Sequence, residues 1–149
     1  MNRKLLALAI SAALVLPVAA QAAPTLYGQL NLSVDKVDFD GGDDQFEVNS
    51  NSSRLGIMGE ENLGAGLSAV YKAEWGVSGD TAGTPDLTGR DRFLGLKGNF
   101  GTFKLGAYDS PLKSSQGTGD QFNDMNNLDM GNVITGENRM DNLIGYESP

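Results

Sequence analysis

The chain has 149 residues and a formal net charge of -8. It contains no Cys and no His, which excludes a disulfide framework, a thiol nucleophile, thiolate metal ligands and the commonest general base. The acidic balance argues against nucleic acid or an anionic lipid surface as a partner, and an abundance of Gly, Asn, Asp and Ser suits a turn-rich β protein.

Residues 1–22 read as a secretory signal peptide. Arg3 and Lys4 form the positive n-region, residues 5–18 the apolar h-region, and Ala20-Gln21-Ala22 the small-x-small cleavage site. The apolar run is short and broken by Pro17, which speaks against a transmembrane anchor. Cleavage would start the mature chain at Ala23 and, with two positive charges removed, take the net charge from -8 to -10.

Residues 25–37 form the first expected strand. Leu26, Gly28, Leu30, Leu32 and Val34 share one face, and Tyr27, Gln29, Asn31, Ser33 and Asp35 the other. That length matches the roughly ten residues a tilted membrane strand needs. A polar, acidic loop is expected over 38–52. The second strand covers 53–60, with Ser53, Leu55, Ile57 and Gly59 outward and Arg54, Gly56, Met58 and Glu60 inward. After a short turn at 61–66, residues 67–75 alternate strictly. Leu67, Ala69, Tyr71, Ala73 and Trp75 point one way, and Ser68, Val70, Lys72 and Glu74 the other. A long loop at 77–89 precedes the fourth strand, 90–98. Asn99-Phe100-Gly101 makes a tight turn, with Gly101 expected at positive φ. The fifth strand is 102–107, the longest loop is 108–139, and a sixth strand lies in DNLIGYESP at the end of the chain.

The connections therefore run long, short, long, short, long. An outer-membrane barrel alternates in this way, with long loops outside the cell and short turns in the periplasm. Trp75 beside a long loop, and Phe100 and Phe103 around a short turn, suit aromatic girdles at the two interfaces. The expected fold is all-β, an antiparallel transmembrane barrel. The rival reading is a secreted soluble β-sandwich, with Asp38, Asp40, Asp43 and Asp44 as possible calcium ligands. Their spacing does not match an EF-hand loop. No nucleophile elbow or paired-carboxylate motif points to an enzyme, and no cofactor or metal site is expected.

Four stretches carry a resemblance to a known family: APTLYGQLNLS (23–33), SSRLGIMGEENLGAGLSAVYKAEW (52–75), RFLGLKGNFGTFKLGAYDSP (92–111) and NLIGYESP (142–149). Together they resemble the general Gram-negative porins, the trimeric outer-membrane channels of the Neisseria type. The resemblance implies about sixteen antiparallel strands around a water-filled pore. It implies an inward-folded third loop at about 108–139, outer-membrane lipid around the barrel, a homotrimer, and passive passage of ions and small hydrophilic solutes. Six strands cannot close such a pore, so residues 23–149 are expected to be the N-terminal part of a longer barrel.

Strand parity gives Arg54, Glu60, Lys72, Glu74, Lys97 and Lys104 as candidate pore-lining residues. The third loop offers Asp109, Lys113, Asp120, Asp124, Asp129, Glu137 and Arg139 as candidate constriction residues. In the family, acids on this loop face basic residues on the wall and set selectivity. Two positions depart from the family pattern. Ala107 stands where relatives often have arginine, and Gly145 where they often have a basic or polar residue. Both departures suggest less positive charge on the wall, and hence cation preference or weak selectivity.

Overall fold

A computed structural model describes residues 23–37, 45–82, 87–117, 119–122, 124–125 and 128–149. The signal-peptide segment and Asp38, Asp40, Asp43 and Asp44 lie outside the described residues. The strands are β1 (Thr25–Gln29), β2 (Leu32–Val37), β3 (Gln45–Ser50), β4 (Arg54–Gly64), β5 (Leu67–Val77), β6 (Leu87–Gly98), β7 (Gly101–Asp109) and β8 (Arg139–Glu147). Between β7 and β8 lie helix α1 (Pro111–Gln116) and a 3-10 turn (Met130–Asn132). No helix among the described residues is long and apolar enough to cross a membrane.

Six strands form one antiparallel sheet in the order β1-β4-β5-β6-β7-β8. The β4, β5 and β6 strands are 11, 11 and 12 residues long, the length that a tilted strand needs to cross about 30 Å of hydrocarbon. The first strand expected from the sequence is interrupted, however. Gln29 pairs with Arg54 and Leu32 with Ser50. Two residues on one side of the gap thus face three on the other, which is a β-bulge. Ser52 takes φ 53° there. Ser53 Oγ accepts from Asn31 N at 2.9 Å, and Asn51 N donates to Asn31 O at 2.8 Å, so the backbone stays paired through the bend.

Two expectations change as a result. Residues 45–50 of the expected acidic loop are strand β3, which returns along β2 and extends the hairpin beyond the sheet. Ser53 is 1% exposed, fixed in the bulge by hydrogen bonds, and does not belong to the apolar face. At the other end of the sheet, Ala65 and Gly66 turn the chain with φ 52° and 78°, the pair of positive values whose twist matches a hairpin. Gly101 has φ 106°, positive as its place in the turn requires.

Directly paired residues share a face, so the register carries the two faces across the sheet. Ile57 pairs with Ala73, Tyr71 with Leu94, Leu94 with Leu105, and Leu105 with Ile144. This apolar face is open: Leu26 is 76% exposed, Leu30 75%, Leu94 59% and Ile144 79%. A soluble sandwich would bury these side chains beneath a second layer. Tyr108 is the one buried apolar residue among the described ones, while Asn51, Glu74, Asp91, Ser110 and Glu137 are all buried. Phe100, Phe103 and Tyr146 stack at the short-turn end, with centroids 5.9 Å and 4.8 Å apart. That is where an interfacial girdle belongs. The sheet is open at β1 and β8. In acyl chains each unpaired backbone group along those edges would cost several kcal/mol.

The exposed apolar face generates a test. In the complete barrel, Leu94→Arg is expected to destabilise folding into lipid vesicles by about 2–4 kcal/mol. Val70→Arg, one strand away on the opposite face, is expected to cost far less. Equilibrium unfolding in urea from vesicles measures both.

Candidate functional site

The polar face is built by the same alternation that exposes the apolar one. Gln29 pairs with Arg54, Met58 with Lys72, Lys72 with Phe93, and Gly95 with Lys104. Arg54, Glu60, Lys72, Glu74, Lys97 and Lys104 all fall on this one face. Each basic member has an acidic partner. Lys97 Nζ donates to Glu60 Oε2 at 2.8 Å, and Lys104 donates to Glu147.

At the long-loop end the pairs merge into a lattice. Ala73 pairs with Arg92 and Trp75 with Gly89, so Glu74 stands opposite two residues, Arg90 and Asp91. This second bulge turns both of them onto the polar face. Arg90 Nε donates to Glu74 Oε1 at 2.6 Å, and Tyr27 Oη donates to Glu74 Oε2 at 2.6 Å. Tyr27 reaches Glu74 across Gly56, where an added Cβ would sit 2.7 Å from the phenol oxygen. Lys72 Nζ donates to Asp91 Oδ2 at 2.9 Å and lies 3.4 Å from Glu74. Arg139 Nε donates to Asp91 Oδ1 at 2.6 Å, and Arg139 Nη2 lies 2.9 Å from Asp109 Oδ1. Three cations thus interlock with three carboxylates, and Glu74 and Asp91 are 3% and 9% exposed. Charge-assisted bonds of this kind satisfy groups that would be costly to bury alone.

Parity counting misplaces Arg90, which the bulge adds to the polar face out of phase, whereas Asp91 is in phase with Phe93, Gly95 and Lys97 and its place at the strand end carries no local sign of its partners. Tyr27 lies on the polar face that parity assigns it, yet only the structure shows its bond to Glu74. Two residues assigned to the third loop belong instead to strands: Asp109 ends β7, Arg139 begins β8, and they are ladder partners. Ala107 pairs with Arg92, which pairs with Ala73, so it sits on the apolar side. An arginine missing there takes nothing from the polar face. Gly145 is different. It pairs with Lys104, and a Cβ added to it would lie 2.2 Å from Tyr108 Oη. Tyr108 occupies that space, beneath the Lys104 ammonium (4.8 Å from the ring centroid) and edge-on to Phe93.

The third loop returns over the polar face. Arg54 Nη1 donates to Asp124 Oδ2 at 2.7 Å, linking the loop to strand β4, three strands from where it leaves the sheet. Asp124 holds φ 71°, and Arg54 also donates to Gln29 Oε1 at 3.2 Å. Near the start of the loop, Ser110 Oγ accepts from Lys113 N, capping α1 behind Pro111. Lys113 donates to Glu137, whose side chain is fully buried. Asp129 Oδ1 accepts from Gly131 N at 2.8 Å and caps the 3-10 turn. Asp120 Oδ2 accepts from Met130 N at 3.1 Å. Of the seven loop candidates, Asp124 alone reaches the wall from within the loop. Lys113, Asp120, Asp129 and Glu137 cluster with one another.

Comparison with known proteins settles the family. The Gram-negative porin family model matches residues 7–149. The chain belongs to the Gram-negative porin family. It is 40% identical over 124 residues to the major outer membrane protein P.IB of Neisseria gonorrhoeae, covering 77% of this chain and 34% of that protein. It is 38% identical over 132 residues to the P.IB protein of Neisseria lactamica, covering 83% of this chain and 37% of that one. Among solved structures it is similar to an anion-selective porin from Comamonas acidovorans, with TM-score 0.69 and 27% identity over 87% of this chain and 43% of that chain. The chain spans about a third of the length of the curated relatives it matches. As a porin of this family it resides in the outer membrane, and the long strands of its six-stranded sheet are transmembrane strands.

Two predictions follow from the loop contacts. Arg54→Ala is expected to weaken the attachment of the third loop by about 1 kcal/mol, since both partners are only partly buried. Amide exchange around residue 124 should then quicken about fivefold. Lys113 titrates above its usual 10.5: burial acts to lower it, but the Glu137 hydrogen bond and the charges of Asp129, Glu137 and Asp109 outweigh that. A cation with a raised pKa stabilises fully below its unfolded value and loses that contribution as pH rises through the folded one. Protease resistance of the third loop should therefore hold up to about pH 10 and fall above it. Lys113→Met should remove that alkaline limb.

Proposed function

We propose that the complete protein is a water-filled channel for passive diffusion of ions and small hydrophilic solutes across the outer membrane, acting without catalysis. The observation that carries this reading is the pairing of an exposed apolar face with a charged face over which a loop is tied. The apolar face suits acyl chains. The charged face suits water, and Arg54 bound to Asp124 holds the third loop across it. A loop so placed inside a closed barrel narrows the lumen and sets width and field together. The polar-face residues Arg54, Glu60, Lys72, Glu74, Arg90, Asp91, Lys97 and Lys104 then line the pore. Three such barrels form the trimer that the family resemblance implies.

The channel prefers cations or discriminates weakly. On the polar face and third loop, the described cations are Arg54, Lys72, Arg90, Lys97, Lys104, Lys113 and Arg139, and each is paired with an acid. The acids Glu60, Glu74, Asp91, Asp109, Asp120, Asp124, Asp129, Glu137 and Glu147 outnumber them. At Gly145 a phenol ring fills the space that a basic side chain would take. The Comamonas neighbour is described as anion-selective, so the selectivity proposed here differs from that neighbour's.

Planar-bilayer recording of the complete protein tests both statements. Stepwise conductance increments are expected, and in a potassium chloride gradient the reversal potential should be near zero or take the cation sign. A protein that folds into bilayers without conducting would end the channel reading. Clear anion preference would end the selectivity reading alone.

A further inference from the structure

We infer that the third loop carries a binding site for a hard divalent cation, calcium, formed by Asp120, Asp129 and Glu137. One carboxylate oxygen from each of these residues lies within 4.8 Å of the other two. The three come from separate stretches: the middle of the loop, the cap of the 3-10 turn, and the approach to β8. Proximity of acids alone would carry little. The second observation is Glu137 itself. Its side chain is fully buried, Oε1 takes the Lys113 ammonium, and Oε2 is buried with no hydrogen-bond partner. That oxygen is directed at the cluster: a Cβ built on Gly131 would meet Glu137 Oε2 at 3.0 Å and Asp129 Oδ1 at 2.9 Å. A buried carboxylate oxygen without a donor is expensive, because it gives up water for nothing.

The chemistry of the donors selects the ion. All three ligands are carboxylates, and the chain has no Cys or His to offer a softer site. Calcium accepts irregular shells of six to eight oxygens at about 2.3–2.6 Å, so oxygens on opposite sides of it stand about 5 Å apart. Magnesium demands near-octahedral ligands at about 2.0–2.1 Å and holds its waters. The observed spread suits calcium with little movement. Charge agrees: three carboxylates facing one ammonium leave two negative charges, which one divalent ion balances. The sequence reading treated these acids as constriction charges. The structure shows them turned toward one another, with Asp124 alone tied to Arg54.

Bound calcium would fasten three stretches of the loop together, beside the Arg54 tether and independently of it. Radiocalcium equilibrium dialysis on the complete barrel, stripped of divalent ions and held in detergent, tests this. One ion per chain is expected, displaced by magnesium only at about tenfold or greater excess. Asp129→Asn should lower affinity at least about tenfold. Glu47→Gln, which removes the same charge on strand β3, should leave it unchanged. Calcium should also slow proteolysis of the third loop in the wild type and in Glu47→Gln, but not in Asp129→Asn. Thermal unfolding checks that each variant is folded. Equal calcium binding in wild type and Asp129→Asn would overturn the site, and so would an equal loss in Glu47→Gln, which would mean a diffuse acidic field.

Discussion

The structure depends on keeping its backbone paired where there is no water to pair with. A strand in hydrocarbon must hydrogen-bond to its neighbours along its whole length. Each strand from β1 to β8 is laddered to its neighbour in the sheet, and the break between Gln29 and Leu32 is bridged as well. At the first bulge, Ser53 and Asn51 supply bonds to Asn31 that the ladder omits. This explains why Ser53, beside β4, is 1% exposed although it is neither under the third loop nor part of the charged lattice. The bulge bends the hairpin, and its side chain closes the hydrogen-bond account.

With the backbone satisfied, the side chains invert the order of a soluble protein. Leucines and isoleucines face outward, where lipid covers them at no cost. The groups that water would normally solvate are instead gathered and paired. Glu74 illustrates the balance. Its carboxylate accepts from Tyr27 and Arg90 and lies near Lys72, so it is nearly enclosed yet never alone. Removing one member would leave another buried charge uncompensated, which makes such a lattice stiff. In the channel proposed above, such a wall would hold its width, and it would mute the field, because each cation is engaged by a neighbouring acid.

Much of this was legible in the sequence. Strict alternation from Leu67 to Trp75 fixes both faces of β5, and the two faces of its neighbours follow from pairing. The alternation of long and short connections indicates which end is which. The failures cluster at one physical cause: a bulge adds a residue to a single strand, and parity counted past it is wrong or blind. That is why alternation misplaces Arg90 and gives Ser53 an outward place, while Asp91 keeps the parity of Lys97 and is hidden only because its partners lie on other strands. The β3 strand was missed for another reason. Its alternation, Phe46, Val48 and Ser50 against Gln45, Glu47 and Asn49, is short and lies beside a run of Asp and Gly that reads as loop. Asp109 and Arg139 look like loop charges because nothing local reveals that they face each other across a ladder.

The third loop shows where residue type alone misleads. Its acids look equivalent in the sequence, and a field across a channel would use any of them. In the structure they divide. Asp124 leaves the loop to bind Arg54, and it holds a positive φ to do so. Asp120 and Asp129 accept from the backbone of the loop and brace its turns, while Glu137 is enclosed with Lys113. The loop lies over the polar face with the Arg54–Asp124 contact to place it, and it must hold its own shape between. Charges spent on that shape are not available to solutes. In the proposed channel, the field a solute meets would therefore be set less by how many acids the loop carries than by which of them the fold leaves unspent.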